Sequence, residues 1–321
     1  MNSILEEMGK IGIVPVIKID DAEKALPLAK ALLAGGIPCV EFTFRTAQGE
    51  AAIRNISRAM PEVLVGAGTV LTCDQVERAI DAGAKFIVTP GFNPKVVAHC
   101  VKKGIPVTPG CSTPSDIEQA IEFGLEVVKF FPAEQGGGLE YIKALSGPYP
   151  SIKYVPSGGI NAGNIAKYMS FDKILACGGS WMAPAELINA GEFEKITTLS
   201  QEAVLNLLGL GLAHVGINAG DGQAAMRAGK LINTLFGFAL RDVNNSIYAG
   251  DTIELVKTTA PGLHGHIAVW TNSIKRALAH LERNGIAFDY SNAKKDPSGN
   301  VSEVYLKDEI LGFAVHLVQR K

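Results

Sequence analysis

The chain has 321 residues, a formal charge of -2, 47% hydrophobic and 19% charged residues, so it is long enough for two domains or for one large α/β barrel with an addition. Lys and Arg are scattered, without a basic stripe interleaved with aromatics, which argues against nucleic-acid binding, and no low-complexity tract points to disorder. No apolar run reaches bilayer length, and residues 1–8 lack the basic, apolar and small-residue succession of a secretory leader; a cytoplasmic protein with small-molecule partners is expected.

From about residue 10 to about residue 206, short apolar runs alternate with helical patterns at the spacing of βα units. Candidate strands are 12–19, 39–44, 63–67, 86–89, 106–109, 127–131, 153–156 and 174–176. That is the number of strands that closes a (β/α)8 barrel, and many of them run into loops rich in Gly, Pro, Ser or Thr, where barrels place their chemistry. Cys39, Cys73, Cys100, Cys111 and Cys177 are odd in number and widely spaced, and read as small buried hydrophobes.

Strand two carries Glu41-Phe42-Thr43-Phe44-Arg45-Thr46. Side chains alternate along a strand, so Glu41, Thr43 and Arg45 point one way and the phenylalanines the other. If the phenylalanines pack under outer helices, the barrel interior receives a carboxylate, a hydroxyl and a guanidinium. A buried Glu41–Arg45 ion pair that satisfies only itself is the bland alternative.

Strand six, in Glu126-Val127-Val128-Lys129-Phe130-Phe131-Pro132, holds a single lysine on an apolar run. An ammonium there has little water around it, which favours the neutral amine that attacks a carbonyl to form an imine. Snorkelling to the rim, or pairing with a carboxylate, is the competing reading. An imine-forming lysine needs a proton shuttle, for which Glu41 is suited, and the fork of Arg45 fits a substrate carboxylate such as that of pyruvate. After strands seven and eight come Ser157-Gly158-Gly159-Ile160-Asn161 and Cys177-Gly178-Gly179-Ser180-Trp181. Glycines let the backbone approach an anion closely, a following helix would aim N–H groups at it, and two such turns stand where barrels hold phosphate.

A helix over about 192–208 ends at Gly209-Leu210-Gly211, and the pattern then becomes strand-dominated, which divides the chain into domains 1–208 and 212–321. The second half is repeated. A strand from His214, a helix ending near Phe236, two extended segments and a strand 253–256 form one βαβββ unit. A strand from His266, a helix ending near Asn284, a hairpin turn at 296–300 and a closing strand 315–318 belong to the other. The fold class expected is therefore α/β: a (β/α)8 TIM barrel followed by an α+β domain of two βαβββ modules.

The strand-two motif, Val65-Gly66-Ala67-Gly68-Thr69-Val70, Lys129-Phe130-Phe131-Pro132-Ala133-Glu134, Pro156-Ser157-Gly158-Gly159-Ile160 and Gly178-Gly179-Ser180-Trp181 together resemble the 2-keto-3-deoxy-6-phosphogluconate (KDPG) and 4-hydroxy-2-oxoglutarate (KHG) aldolase family over nearly all of residues 8–206. The resemblance implies Lys129 as the imine-forming residue, Glu41 as acid/base and Arg45 as ligand of the pyruvyl carboxylate. It also implies that Thr69 and Pro90 line the pyruvate pocket and that Gly158, Gly159, Gly179 and Ser180 hold a phosphate. Ser157 stands where many relatives have threonine, which leaves open the sugar epimer, phosphogluconate or phosphogalactonate type. The aldolase implied is a homotrimer that needs no cofactor beyond its lysine. A phosphate-binding isomerase or synthase without an imine is the rival.

The duplicated half resembles the vicinal oxygen chelate superfamily, which implies a divalent metal held by His214, Glu254, His266 and His316. Imidazole plus carboxylate suits zinc, nickel, iron or manganese. His316 stands where glyoxalases commonly have glutamate, which argues against glyoxalase activity, and a ligand-sensing or oligomerisation module is the alternative. His264, on the opposite strand face, and His280, on a helix, are left out of the set.

Overall fold

Polar residues before a helix and glycines after it set the rhythm of the first part of the chain. In the computed structural model, which describes residues 1–320, the Thr72 side chain accepts the amide of Gln75 at the start of helix Cys73–Ala82, and Gly83 closes that helix at φ 98°. Asn93 and Gly104 bound helix Pro94–Lys103 in the same way. Thr113 and Asp116 form a reciprocal capping box on Pro114–Glu122. Each such cap contributes about 0.5–2 kcal/mol, so these helices start and stop at defined residues and leave short strands between them.

Those strands are β1 (Ile13–Ile17), β2 (Cys39–Thr43), β3 (Leu64–Gly68), β4 (Ile87–Val88), β5 (Val107–Thr108), β6 (Val127–Phe130), β7 (Lys153–Pro156) and β8 (Cys177–Gly179). They pair in parallel in the order β5-β4-β3-β2-β1-β8, with β6-β7 as a second run. Parallel bridges Gly110–Lys129 and Ser157–Gly178 link the two runs on either side. The fold is an α/β barrel-like one, and β2 and β3 are buried along their whole length, as expected for strands covered on both faces.

All but the last of these strands fall on or inside the expected ranges to within one residue. Strand eight does not: it runs over Cys177–Gly179, while the expected 174–176 contributes only an isolated bridge from Ile174 to Tyr154. The reason is steric. Gly178 and Gly179 pair with Val14 and Pro15 of β1, and a Cβ on Gly179 would overlap the folded-back ring of Trp181. Glycines that read as a turn are therefore the strand. The cysteine reading also needs one correction, since Cys73 is only half-buried; the other four are buried.

The chain divides into two compact units, Met1–Leu207 and a second beginning at Leu208. The second contains β9 (Gly211–Asn218), helix Gly222–Phe236, β10 (Leu240–Val243), β11 (Ser246–Ala249) and β12 (Ile253–Val256), followed by β13 (Gly265–Thr271), helix Ile274–Arg283, β14 (Phe288–Lys295), β15 (Val301–Leu306) and β16 (Phe313–Gln319). They form one mixed sheet in the order β10-β11-β12-β9-β13-β16-β15-β14. Each half contributes four adjacent strands, and the halves meet where β9 and β13 pair antiparallel. Ala225, Ile247 and Leu255 form a core beneath the first half, with Ile232 and Leu240 packed against it.

Candidate active site and candidate metal centre

Glu41 lies in register with Val16 of β1 and Gly66 of β3. It is 3% exposed. Its carboxylate sits over Gly68, where any Cβ would overlap Oε1; Gly66 in turn makes room for the ring of Phe86. The Gly-Ala-Gly end of β3 is thus shaped by two large neighbours at Gly66 and Gly68, two residues apart on one face of the strand. Oε1 has no hydrogen-bond partner among the described residues. Burial raises the pKa of Glu41 above the ordinary glutamate value, against the opposing positive charges of Lys129 and then Arg45. A buried carboxyl of raised pKa within electrostatic reach of an amine can hold a proton and pass it on.

Lys129 is buried on β6, 8% exposed. Its backbone is fixed on both sides, since its amide donates to Pro109 O at 2.9 Å and its carbonyl accepts from Cys111 at 2.8 Å. Nζ lies 5.0 Å from the centroid of the Phe131 ring, which itself packs on the backbone of Gly158. No carboxylate bonds Nζ among the described ion pairs, and the side chain does not snorkel. Phe131 is a site residue that sequence reasoning missed, because on the strand alone it reads as one more apolar position.

Arg45 departs from expectation. β2 ends at Thr43, so Arg45 stands in the following turn, exposed at the rim, and does not enter the interior with Glu41 and Thr43. Its Nε donates to Thr43 Oγ1 at 3.2 Å, and Thr43 donates in turn to Ile17 O. It forms no ion pair with Glu41 among the described residues, so the self-satisfied pair is ruled out. Phe42 is fully buried, whereas Phe44 is only half-buried beneath Arg78. Arg45, Lys18 and Ser180 line one cavity of about 200 Å³ with Val16, Ala183 and Ile188. Lys18 was not singled out in the sequence. Its position at the end of β1, next to Ser180 at the end of β8, is what gives it meaning.

Gly158 and Gly159 adopt φ 95° and 82°. That turn is held by Asn161 and Asn164, whose side-chain amides donate to Gly159 O at 3.1 and 3.0 Å. Ser157 is buried and abuts Gly178. The helices that follow begin only at Ile165 and Ala185 and are short, so the expected help from helix N–H groups is absent. Thr69, beside Gly68, is held at φ 55°, unusual for a non-glycine residue. Pro90 is half-buried, with its carbonyl against Gly110.

In the second unit, two neighbouring rows across the sheet bring the four expected residues together. One row reads Glu254–Gly216–His266 over β12, β9 and β13; the other reads His214–Ala268–His316 over β9, β13 and β16. Gly216 is required there, since a Cβ would overlap the His266 ring. His214 Nε2 and His266 Nε2 are 3.0 Å apart and lie 3.0 and 3.2 Å from Glu254 Oε2. The three imidazoles offer nitrogens within 4.8 Å of one another. Ser246 donates to Glu254 Oε1. Glu254 is held well below the ordinary carboxylate range: burial works the other way, but hydrogen bonds from His214, His266 and Ser246 outweigh it. Burial pushes His316 below the usual imidazole range despite Glu303 nearby. These residues border a cavity of about 330 Å³ that also exposes Tyr248, Lys294, Glu303 and Tyr305. His264 and His280 are outside the cluster.

A parallel α/β barrel-like fold that buries one lysine near one raised-pKa carboxylic acid defines an enzyme of the amine-and-acid class. The sequence profile of KDPG and KHG aldolase matches residues 4–199. The chain is 49% identical over 204 residues to a 2-dehydro-3-deoxy-phosphogluconate aldolase of Treponema pallidum (strain Nichols), a match covering 64% of this chain and 97% of that protein. It is 41% identical over 192 residues to the KHG/KDPG aldolase of Escherichia coli (strain K12), covering 60% and 90%. Among solved structures, KDPG aldolase of Legionella pneumophila, captured with pyruvate as a covalent carbinolamine, superposes with a TM-score of 0.61 at 36% identity, covering 62% of this chain and 97% of that one. The chain belongs to the KDPG and KHG aldolase family and is an aldolase, a carbon–carbon lyase. The family profile stops short of the second unit.

Proposed function

We propose that the first unit, a closed (β/α)8 barrel, cleaves 2-keto-3-deoxy-6-phosphogluconate to pyruvate and glyceraldehyde 3-phosphate through an imine on Lys129, and also cleaves 4-hydroxy-2-oxoglutarate to pyruvate and glyoxylate. The observation that carries this is the burial of Lys129 within electrostatic reach of Glu41, whose carboxyl has no competing partner among the described residues. Lys129 adds to C2 of the keto acid, giving a carbinolamine. Glu41 protonates the departing hydroxyl as water leaves, and the protonated imine draws the electrons of the breaking C3–C4 bond into an enamine. Glu41 takes the proton from the C4 hydroxyl as the aldehyde departs and returns one to C3. Hydrolysis then frees pyruvate.

Arg45 and Thr69, with Pro90, receive the pyruvyl end. Gly158, Gly159, Gly179 and Ser180, with the hydroxyl of Ser157, hold the phosphate, and Lys18, whose ammonium is paired with Asp20 at 2.9 Å, borders the cavity that Ser180 lines. Gripping a phosphate remote from the reacting bond supplies binding energy for positioning. Borohydride reduction with pyruvate tests the scheme: wild type gains one reduced pyruvyl adduct, mapped to Lys129, and Lys129→Ala gains none. Equal mass gain in both proteins refutes the imine assignment. A homotrimer is part of the same reading, checked by sedimentation.

We infer that the second unit is a vicinal oxygen chelate domain holding a divalent metal through His214, Glu254, His266 and His316. The residues fit such an ion: three imidazoles converge with the Glu254 carboxylate beside two of them, and His266 Nδ1 and His316 Nε2 are buried without hydrogen-bond partners among the described residues. A metal bound there supplies Lewis acidity toward an oxygen ligand in the cavity. Metal content by plasma emission, lost in His214→Ala and His266→Ala, tests this reading.

A further inference from the structure

Glu303 lies on β15, next to the closing strand β16 that carries His316. Its Oε1 approaches His316 Nδ1 to 3.4 Å, close enough to face it but short of a formed hydrogen bond, while Oε2 accepts from Lys294 Nζ at 2.9 Å. Both acceptor and ring are shielded, with side-chain exposures of 18% and 4%. His316 pairs with Tyr305, and their rings stack with centroids 4.6 Å apart and planes 10° apart. Tyr305 therefore fixes the plane of the imidazole but leaves its in-plane orientation undetermined. Nδ1 and Nε2 lie on different edges of the ring, so a carboxylate at Nδ1 turns Nε2 the other way. The rings of His214 and His266 stand 5.7 and 5.1 Å from that of His316.

We propose that Glu303 is a positioning residue which accepts the Nδ1 proton of His316, commits Nε2 to the metal and raises its donor strength, with Lys294 anchoring the carboxylate from the solvent edge. This rests on the metal reading of the second unit. A metal-bound imidazole works best when its other nitrogen donates to a fixed acceptor, and loss of that acceptor costs about 10–100-fold in metal affinity. Ser246 plays the matching part for Glu254 by donating to the oxygen that faces away from His214 and His266. Two ligands from different modules are thus each held from behind.

Cobalt(II) titration of the full chain, followed by visible absorption, tests the assignment without any turnover. Wild type binds one equivalent. Glu303→Ala binds about 10–100-fold more weakly with an altered cobalt spectrum, although its metal-free melting curve is unchanged. Glu303→Gln, which keeps the shape and a weaker acceptor, shows a smaller loss and covers the case in which the alanine variant fails to fold. Unchanged affinity and spectrum in whichever variant folds overturn the role of Glu303 and leave the metal reading standing. If wild type takes up no cobalt, or His214→Ala takes up as much as wild type, both fall together.

Discussion

Glu41, the proposed acid/base, also bears on stability. The folded protein keeps this carboxyl protonated to a higher pH than the unfolded chain does. Between the ordinary glutamate pKa and the raised one, the folded state therefore loses stability as pH rises. Glu41→Gln removes that loss. The variant is expected to lose about 10²–10⁴-fold in retro-aldol rate yet to be more stable than wild type at neutral pH, and the advantage should shrink as pH falls through the window. Urea melts of both proteins across that range check it; an advantage that stays constant with pH would refute the account. The burial of Lys129 and Glu41 was legible in the sequence because a charge on an apolar strand is conspicuous. Arg45 was misplaced, because alternation was extended past Thr43, where the strand ends. Glu303 carries no local signal, since its meaning arises from the pairing of β15 with β16.

Among elements, glycines decide which side chains fit. Gly216 occupies the centre of the Glu254–Gly216–His266 row, and its missing side chain is where the His266 ring lies. Gly216→Ala must push that ring away, so we expect metal affinity to drop at least tenfold with retro-aldol activity retained; parallel metal titrations and aldolase assays of the variant decide it. The same logic explains why strand eight was read a few residues early. Apolar residues announce a strand in sequence, whereas Gly178 and Gly179 owe their extended pairing to Ser157 and Trp181, neighbours that only the fold supplies. The duplicated βαβββ order was legible because its two units repeat the same alternation. The two rows that bring the four proposed ligands together were not, because register across a sheet leaves no mark along a chain.

For the molecule as a whole, the two chemistries have separate requirements. With the imine proposed on Lys129 as electron sink, dialysis against a chelator is expected to leave the retro-aldol rate within about twofold of the untreated protein, since an imine supplies the positive charge itself. The same treatment should lower a calorimetric transition that restored metal raises, by the mass-action stabilisation of about 2.7 kcal/mol when the ion is at a hundred times its dissociation constant. A rate that collapses on chelation and returns with metal would overturn the separation.

The ligand rows have one further consequence. His214 and Glu254 come from the first half of the duplicated sheet, and His266 and His316 from the second, so neither half alone possesses a complete ligand set. An ion seated there would act as a rivet through the β9–β13 seam, joining positions 214 and 266. Its loss would loosen the seam before either half came apart. Hydrogen exchange at the amides of those two strands would register an empty socket even where the outer strands look unchanged.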